Sequence, residues 1–161
     1  MDTQGSSMKH NIIKTLKEKS VLKQVVYDHT KNTFKLLKKV LKDLVIEYNQ
    51  DMRNADERVL LEFRDRGIFE AEVKVAGDLI IFNMHSNIFE FPRSHEIWKD
   101  NYYMEEPLMT YSGIINIYNF LSDSFKYNRL DDLGYLIGRI FVNKDATFFV
   151  EGRRELGFNY P

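Results

Sequence analysis

Several side chains in this sequence could take part in chemistry, and the histidines and acids of one short segment come first. His85, Glu90, His95 and Glu96 are all of types that bind metal ions. The two histidines stand ten residues apart across Pro92, so they lack the short regular spacing of a zinc site. The absence of cysteine excludes thiolate metal sites, disulfides and a cysteine nucleophile. We therefore predict surface histidines here, with no bound metal and no cofactor.

A second candidate is Glu72-Val73-Lys74, which lies in a pattern that alternates like a β-strand. Both charged side chains would share one strand face, where a carboxylate could hold Mg²⁺ beside a lysine. The three residues match the E-x-K element of metal-dependent nucleases of the PD-(D/E)xK type. That resemblance implies a nuclease only if an acid such as Glu62 or Asp65 completes the site. The alternative is an ordinary solvated strand face.

The sequence offers no nucleophile motif. Ser112-Gly113 and Ser122-Asp123-Ser124 lack the G-x-S-x-G setting of a reactive serine. Asp131-Asp132 precedes a Leu-Gly pair and is typical of a turn or a helix N-cap. These observations favour a protein that is not an enzyme.

The segment GRIFVNKDATFFVEGRRELG raises the question of a phosphate-binding loop, because it combines glycines with two arginines. Such a loop needs clustered glycines directly before a helix. Here Gly138 stands inside an alternating apolar pattern, and the polar residues Asn143-Lys144-Asp145-Ala146 separate this pattern from a second one. The segment therefore predicts a β-hairpin.

Aromatic residues near arginines are candidates for a binding surface. Tryptophan and tyrosine supply large contact areas, and arginine binds anions with two parallel hydrogen bonds. The alternative is that Trp98, Tyr103 and Tyr111 cap one end of the hydrophobic core. The candidate residues for binding a partner or a ligand are Arg93, Trp98, Tyr102, Tyr103, Tyr111, Arg153 and Arg154.

The net charge of −1 hides an uneven distribution. Residues 8–50 contain ten lysines and four acids, so the rest of the chain is acidic. A basic helix suits nucleic-acid binding; the alternative is that the helix packs on its own acidic body and its lysines face solvent. The nucleic-acid candidates, expected as a solvent-facing stripe opposite Leu37, Leu41 and Leu44, are Lys35, Lys38, Lys39 and Lys42.

Two helices are predicted at the start of the chain, ahead of these candidates. Residues 9–18 form a short amphipathic helix, and Ser20 is a typical N-cap for a long helix that continues to residue 50. Apolar residues along the long helix recur at steps of three and four. Such a long helix must lie across a sheet or pair with another helix, so we also consider a homodimer.

After Asn54 the apolar period changes to two, which indicates β-strands. The pattern predicts three strands in meander order, with turns at Asp65-Arg66-Gly67 and Gly77-Asp78. Residues 86–110, called the connector below, break the pattern and predict a short helix capped by Ser94. Strand patterns then return. The expected fold class is α+β: N-terminal short and long helices, then a mainly antiparallel sheet of about six strands interrupted by the connector.

The length of 161 residues predicts a single α+β domain at residues 8–161, helical over 8–50 and with its sheet over 56–161, after a flexible N-terminus at residues 1–7. No signal peptide or membrane-spanning run is evident, so we expect a cytoplasmic protein. The leading hypothesis is a non-catalytic binding or regulatory module that contacts a protein or a small ligand through the connector and the sheet face. The alternative is a nucleic-acid-associated protein that uses the basic helix.

Overall fold

A computed structural model describes residues 3–54, 56–121, 123, 127 and 134–152 of the chain. It shows a long N-terminal helix followed by an antiparallel sheet and a connector of short helices, so the predicted α+β class is confirmed. Within the described residues, no helix combines the length and the apolar character that crossing a bilayer requires. Asp131-Asp132, Arg153 and Arg154 lie outside the described residues.

The N-terminal helix is continuous, and the predicted break at Ser20 is wrong. Ser20 has helical φ and ψ angles and makes no capping hydrogen bond. The five residues that end at Ser20 form a π-helical turn between two α-helical parts, and none of them is buried. The helix also begins at Thr3, ahead of the predicted start at Met8. Its parts are α1 (Thr3–Thr15), the π-helical turn (Leu16–Ser20) and α2 (Val21–Asp51).

Within the described residues, seven strands form one sheet in which every neighbouring pair is antiparallel. The order across the sheet is β1-β2-β3-β5-β6-β7, and the short β4 pairs with β5. The predicted meander of the first three strands and the predicted C-terminal hairpin are both confirmed. The strands are β1 (Glu62–Asp65), β2 (Glu70–Val75), β3 (Asp78–Met84), β4 (Phe89–Glu90), β5 (Tyr111–Leu121), β6 (Tyr135–Val142) and β7 (Phe148–Gly152).

The turn between β2 and β3 lies one residue earlier than predicted. Val75 and Asp78 form the last pair of the ladder, so Ala76 and Gly77 make the turn. Ala76 adopts a φ of 50°, in the left-handed region that tight hairpin turns require. The prediction at Gly77-Asp78 missed this because alanine is a rare residue at such a φ.

The connector contains more helix than predicted. A 3-10 helix covers Glu96–Lys99, helix α3 covers Asn101–Glu105 and a second 3-10 helix covers Pro107–Thr110. The N-cap of the first 3-10 helix is His95 and not the predicted Ser94, because the His95 ring accepts a hydrogen bond from the Ile97 amide. The N-cap of α3 is Asp100, whose carboxylate accepts a hydrogen bond from the Tyr102 amide at 2.9 Å.

The core lies between α2 and one face of the sheet, here called the inner face. Alternate residues of the strands point to this face because the side-chain period of a strand is two. Ala71, Val73, Met84 and Ile115 pack there with Phe34 of α2. Burying a large apolar side chain of this kind contributes about 1.5–3 kcal/mol, so this layer holds the helix on the sheet.

Helix α2 approaches β5 very closely at one point. Thr30 is fully buried, and its hydroxyl donates a hydrogen bond to the Val26 carbonyl at 2.7 Å. Gly113 of β5 lies directly below it, where an added Cβ would stand 2.0 Å from Thr30 Oγ1. The helix can reach the sheet here only because position 113 has no side chain.

We therefore expect Gly113→Ala to destabilise the fold by about 2–3 kcal/mol, because the new methyl group overpacks a buried contact. Urea unfolding followed by circular dichroism measures this. Gly77→Ala is the matched control: nothing lies within 4 Å of its added Cβ, so a change within about 0.5 kcal/mol is expected. Equal effects of the two substitutions would contradict the close approach of helix and strand.

Candidate functional site

A group of aromatic rings attaches the connector to the outer face of the sheet, the face opposite α2. Phe91 is buried, and its ring centroid lies 5.0 Å from that of Phe141 on β6 and 5.8 Å from that of Phe149 on β7. The rings of Phe89 and His95 contact Phe91 at 4.9 and 4.6 Å. The connector is therefore packed on the sheet and does not hang free as a loop.

Trp98 is held on this base by two contacts. Its indole Nε1 donates a hydrogen bond to the Phe91 carbonyl at 3.1 Å. The Arg93 guanidinium lies 3.8 Å from the ring centroid, a cation–π contact worth about 0.5–1 kcal/mol at an exposed site. Trp98 is half-buried and Arg93 is exposed. The structure thus brings these two predicted residues together as a fixed pair at the surface.

The three predicted tyrosines divide between surface and core. Tyr102 is 43% exposed; its ring meets Tyr103 edge-on at 5.1 Å and its hydroxyl donates to the Met109 sulfur at 3.3 Å. Tyr103 is half-buried, and this desolvation raises its pKa. Tyr111 is only 5% exposed and packs with Leu22 on the inner face. The core-capping alternative therefore holds for Tyr111, which is not part of the surface.

The hydroxyl of Tyr111 marks the point where the N-terminal helix passes the end of the sheet. Burial raises the pKa of Tyr111, and a hydrogen bond with the Glu90 carboxylate raises it further. The positive charge of Lys19 in the helix acts in the opposite direction on the pKa of Tyr111. The helix therefore passes close to β4, the strand through which the connector pairs with β5.

The connector exposes apolar side chains among carboxylates. Tyr102, Met104 and Leu108 are 43%, 55% and 41% exposed. Sequence reasoning missed Met104 and Leu108, since single apolar residues beside aromatics are equally typical of a core. The connector carries five acids against Arg93 and Lys99, so its charge is negative. We call Tyr102, Met104 and Leu108, with the carboxylates of Glu96, Asp100 and Glu105, the connector surface.

The two histidines among the four candidate metal ligands near Pro92 contact different partners. His85 Nδ1 accepts from the Asn87 amide at 3.1 Å. His95 Nδ1 accepts from the Ile97 amide, so in a neutral ring the proton is on Nε2, which faces Glu151 Oε1 at 3.3 Å. Across the described residues, no group of three or more histidines and acids is placed to hold a metal ion.

Glu72 and Lys74 are engaged by different partners. Lys74 Nζ lies 3.0 Å from Glu62 Oε1 in a cross-strand ion pair, and this hydrogen bond lowers the pKa of Glu62. Glu72 is buried, which corrects the expectation of a solvated face, and its Oε2 lies 3.0 Å from Arg66 Nε. That contact is an ion pair by distance, but its angles do not make it a hydrogen bond. Each side chain is matched to one opposite charge, and the geometry offers no support for a nuclease site.

The lysines of α2 do not form the uniform solvent stripe that was predicted. Lys38 Nζ donates to Asp65 Oδ1 at 2.7 Å and to the Gly67 carbonyl, and its side chain is only 13% exposed. Lys35, Lys39 and Lys42 are exposed as expected. On the opposite side Leu44 is 42% exposed instead of buried. Lys38 is therefore a structural link between α2 and the turn after β1.

Comparisons of this chain with protein-family models, with curated proteins and with solved structures found no match.

The Lys38–Asp65 pair predicts a pH effect. Its hydrogen bond lowers the pKa of Asp65, so the pair stabilises the fold above the ordinary pKa of aspartate and loses this effect as the pH falls through the folded value. In Lys38→Met we expect the pKa of Asp65, measured by NMR titration of its carboxyl carbon, to rise toward the ordinary value. Lys42→Met is the control and should leave it unchanged. An unchanged Asp65 in Lys38→Met would contradict the pairing.

The contacts of Trp98 predict an intermediate effect on stability. Trp98→Ala removes one hydrogen bond and a half-buried ring, so we expect a loss of about 2 kcal/mol, below the 3–5 kcal/mol typical of a fully buried tryptophan. Met104→Ala in the same connector should change stability by less than about 0.5 kcal/mol. Urea unfolding of both variants tests this. A loss above 3 kcal/mol would make Trp98 a core residue and remove it from the surface.

Proposed function

We propose that this protein is a non-catalytic binding module that recognises a basic, partly apolar segment of a protein through the connector surface. The observation that carries the proposal is the placement of three exposed apolar side chains among carboxylates on a firmly packed base. Interfaces combine apolar anchors with a polar rim in this way.

The rigidity of the connector supports binding. A surface whose side chains are already fixed loses less conformational entropy when a partner arrives. Trp98 is fixed by its hydrogen bond to Phe91 and by Arg93, and Tyr102 by its contacts with Tyr103 and Met109. Tyr102 of the connector surface is therefore preorganised, and so is Trp98 in the same connector.

The charge of the connector indicates the chemistry of the partner. Glu105 lies in no ion pair among the described residues, and Glu96 meets only Lys99 at 3.8 Å, with both side chains highly exposed. Such carboxylates attract a positively charged partner and raise its association rate. Apolar contact area and negative charge together suit a basic amphipathic helix.

A second candidate function rests on the exposed lysines of α2. Lys35, Lys39 and Lys42 remain available to phosphates, whereas Lys38 is neutralised by Asp65. Three cations on one helix give a smaller electrostatic contact than the predicted four. Nucleic acid is therefore the alternative partner, and binding to it must weaken steeply as salt concentration rises.

Trp98 is the only tryptophan of the chain, so its fluorescence reports directly on the connector. We expect a short helical peptide of leucine and lysine to change this fluorescence with saturation, and a leucine–glutamate peptide to have no effect. The double variant Glu96→Lys, Glu105→Lys should weaken the affinity at least about tenfold, because it places like charges opposite each other.

The matched control is Glu57→Lys, Asp78→Lys, which makes the same change of charge on exposed residues away from the connector. An equal loss of affinity in both double variants would show that net charge alone causes the effect, and it would contradict a specific binding surface. A labelled DNA duplex in the same buffer tests the alternative: binding that disappears in Lys35→Glu, Lys39→Glu, together with no response to either peptide, would favour nucleic acid.

A further inference from the structure

The first part of the N-terminal helix is not covered by the other described residues. All residues from 7 to 21, called the arm below, are exposed, and Leu22 is the first buried residue after the arm. The exposed side chains of the arm include large apolar ones: Met8 at 68%, Ile12 at 55%, Ile13 at 41% and Leu16 at 53%. The arm therefore presents an apolar surface to solvent.

A helix of this kind gains little stability by itself. Isolated helices of fewer than about 12–15 residues are marginal in water, and helices in proteins are stabilised mainly by packing of an apolar face. The arm is continuous with α2 through helical geometry at Ser20. It cannot fold back onto its own chain without breaking that helix. Within the described residues these apolar side chains have no cover, so they are open to a surface of another molecule.

The charges of the arm are complementary to those of the connector. Between residues 7 and 20 the arm has four lysines, Lys9, Lys14, Lys17 and Lys19, and one acid, Glu18. Of the five acids of the connector, Glu106 is paired with Lys144 at 3.1 Å and Glu90 lies opposite Tyr111, so the connector surface presents Glu96, Asp100 and Glu105. The arm is thus a basic amphipathic helix, the class of segment that the connector surface suits. Like charges make arm-to-arm pairing unfavourable.

We propose that the arm binds the connector surface of a second copy of this chain. The inference rests on the proposed function, because it names the partner of the same surface. The arm leaves its own sheet beside the connector, because Leu22, the residue directly after the arm, packs with Tyr111 and with Ile88 of the connector. Two copies related by a two-fold axis can therefore exchange arms reciprocally, and both contacts close within one dimer.

Charge reversal in the full chain tests the exchange. The arm variant is Lys14→Glu, Lys17→Glu, and the connector variant is Glu96→Lys, Glu105→Lys. Light scattering after size-exclusion chromatography measures the mass of each. We expect the wild type to be a dimer and each variant alone to dissociate at least about tenfold more readily, since each reversed side chain in it meets a like charge.

Mixing the two variants gives the decisive result. In a mixed dimer the reversed arm meets the reversed connector and the native arm meets the native connector, so both contacts are restored and a dimer should form again. The control variant Lys35→Glu, Lys39→Glu has the same charge as the arm variant and should remain a dimer. A mixture that stays monomeric, or an arm variant that stays dimeric, would overturn the exchange.

The peptide titration separates this inference from the proposed function. A monomeric wild type whose Trp98 fluorescence still responds to the leucine–lysine peptide would overturn the exchange and keep the connector as a binding surface. A wild-type dimer that is unaffected by the connector variant, with no response to the peptide, would contradict both. Far-UV circular dichroism of each variant confirms that the helix and sheet are folded.

Discussion

The contact of α2 with the inner face of the sheet is the constraint on which the rest of the structure depends. One helix covers this face, and it reaches β5 where Thr30 lies against Gly113. Because this contact has no space for a side chain at position 113, it determines the height of the helix above the sheet. The position of the arm follows from the axis of this helix, because the arm is continuous with α2.

This arrangement separates two kinds of surface. On the inner face, helix packing uses the apolar residues of the strands and buries Tyr111 beside Leu22. On the outer face, the ring cluster around Phe91 supports a connector whose polar and apolar side chains remain accessible. Charged side chains of the sheet contact one another: Glu62 lies in ion pairs with both Lys74 and Arg64, and His95 Nε2 faces the Glu151 carboxylate.

Much of the fold could be predicted from periodicity, because burial on one face imposes a repeat on the sequence. Ala71 and Val73 alternate with charged residues, and Val26, Thr30 and Phe34 recur every four residues on the helix. The site was less predictable. Ser20 is compatible with both a cap and a helix interior, and a lysine such as Lys38 has the same sequence pattern whether it faces solvent or bridges to Asp65. Those outcomes depend on contacts distant in sequence, which local patterns do not record.

The length of the helix is the feature that the packing of a single chain does not explain. From residue 7 onward its buried residues begin at Leu22, yet the helix extends back to Thr3, and exposed apolar residues continue along α2 at Leu36 and Val40. Apolar side chains in water contribute nothing to folding, and ordering the backbone of the arm has an entropic cost of about 1–2 kcal/mol per residue. A helix that extends past its own core is stable where a second surface covers it. The acidic connector is a surface of the right charge for that contact, and it lies at the end of the sheet from which the arm departs.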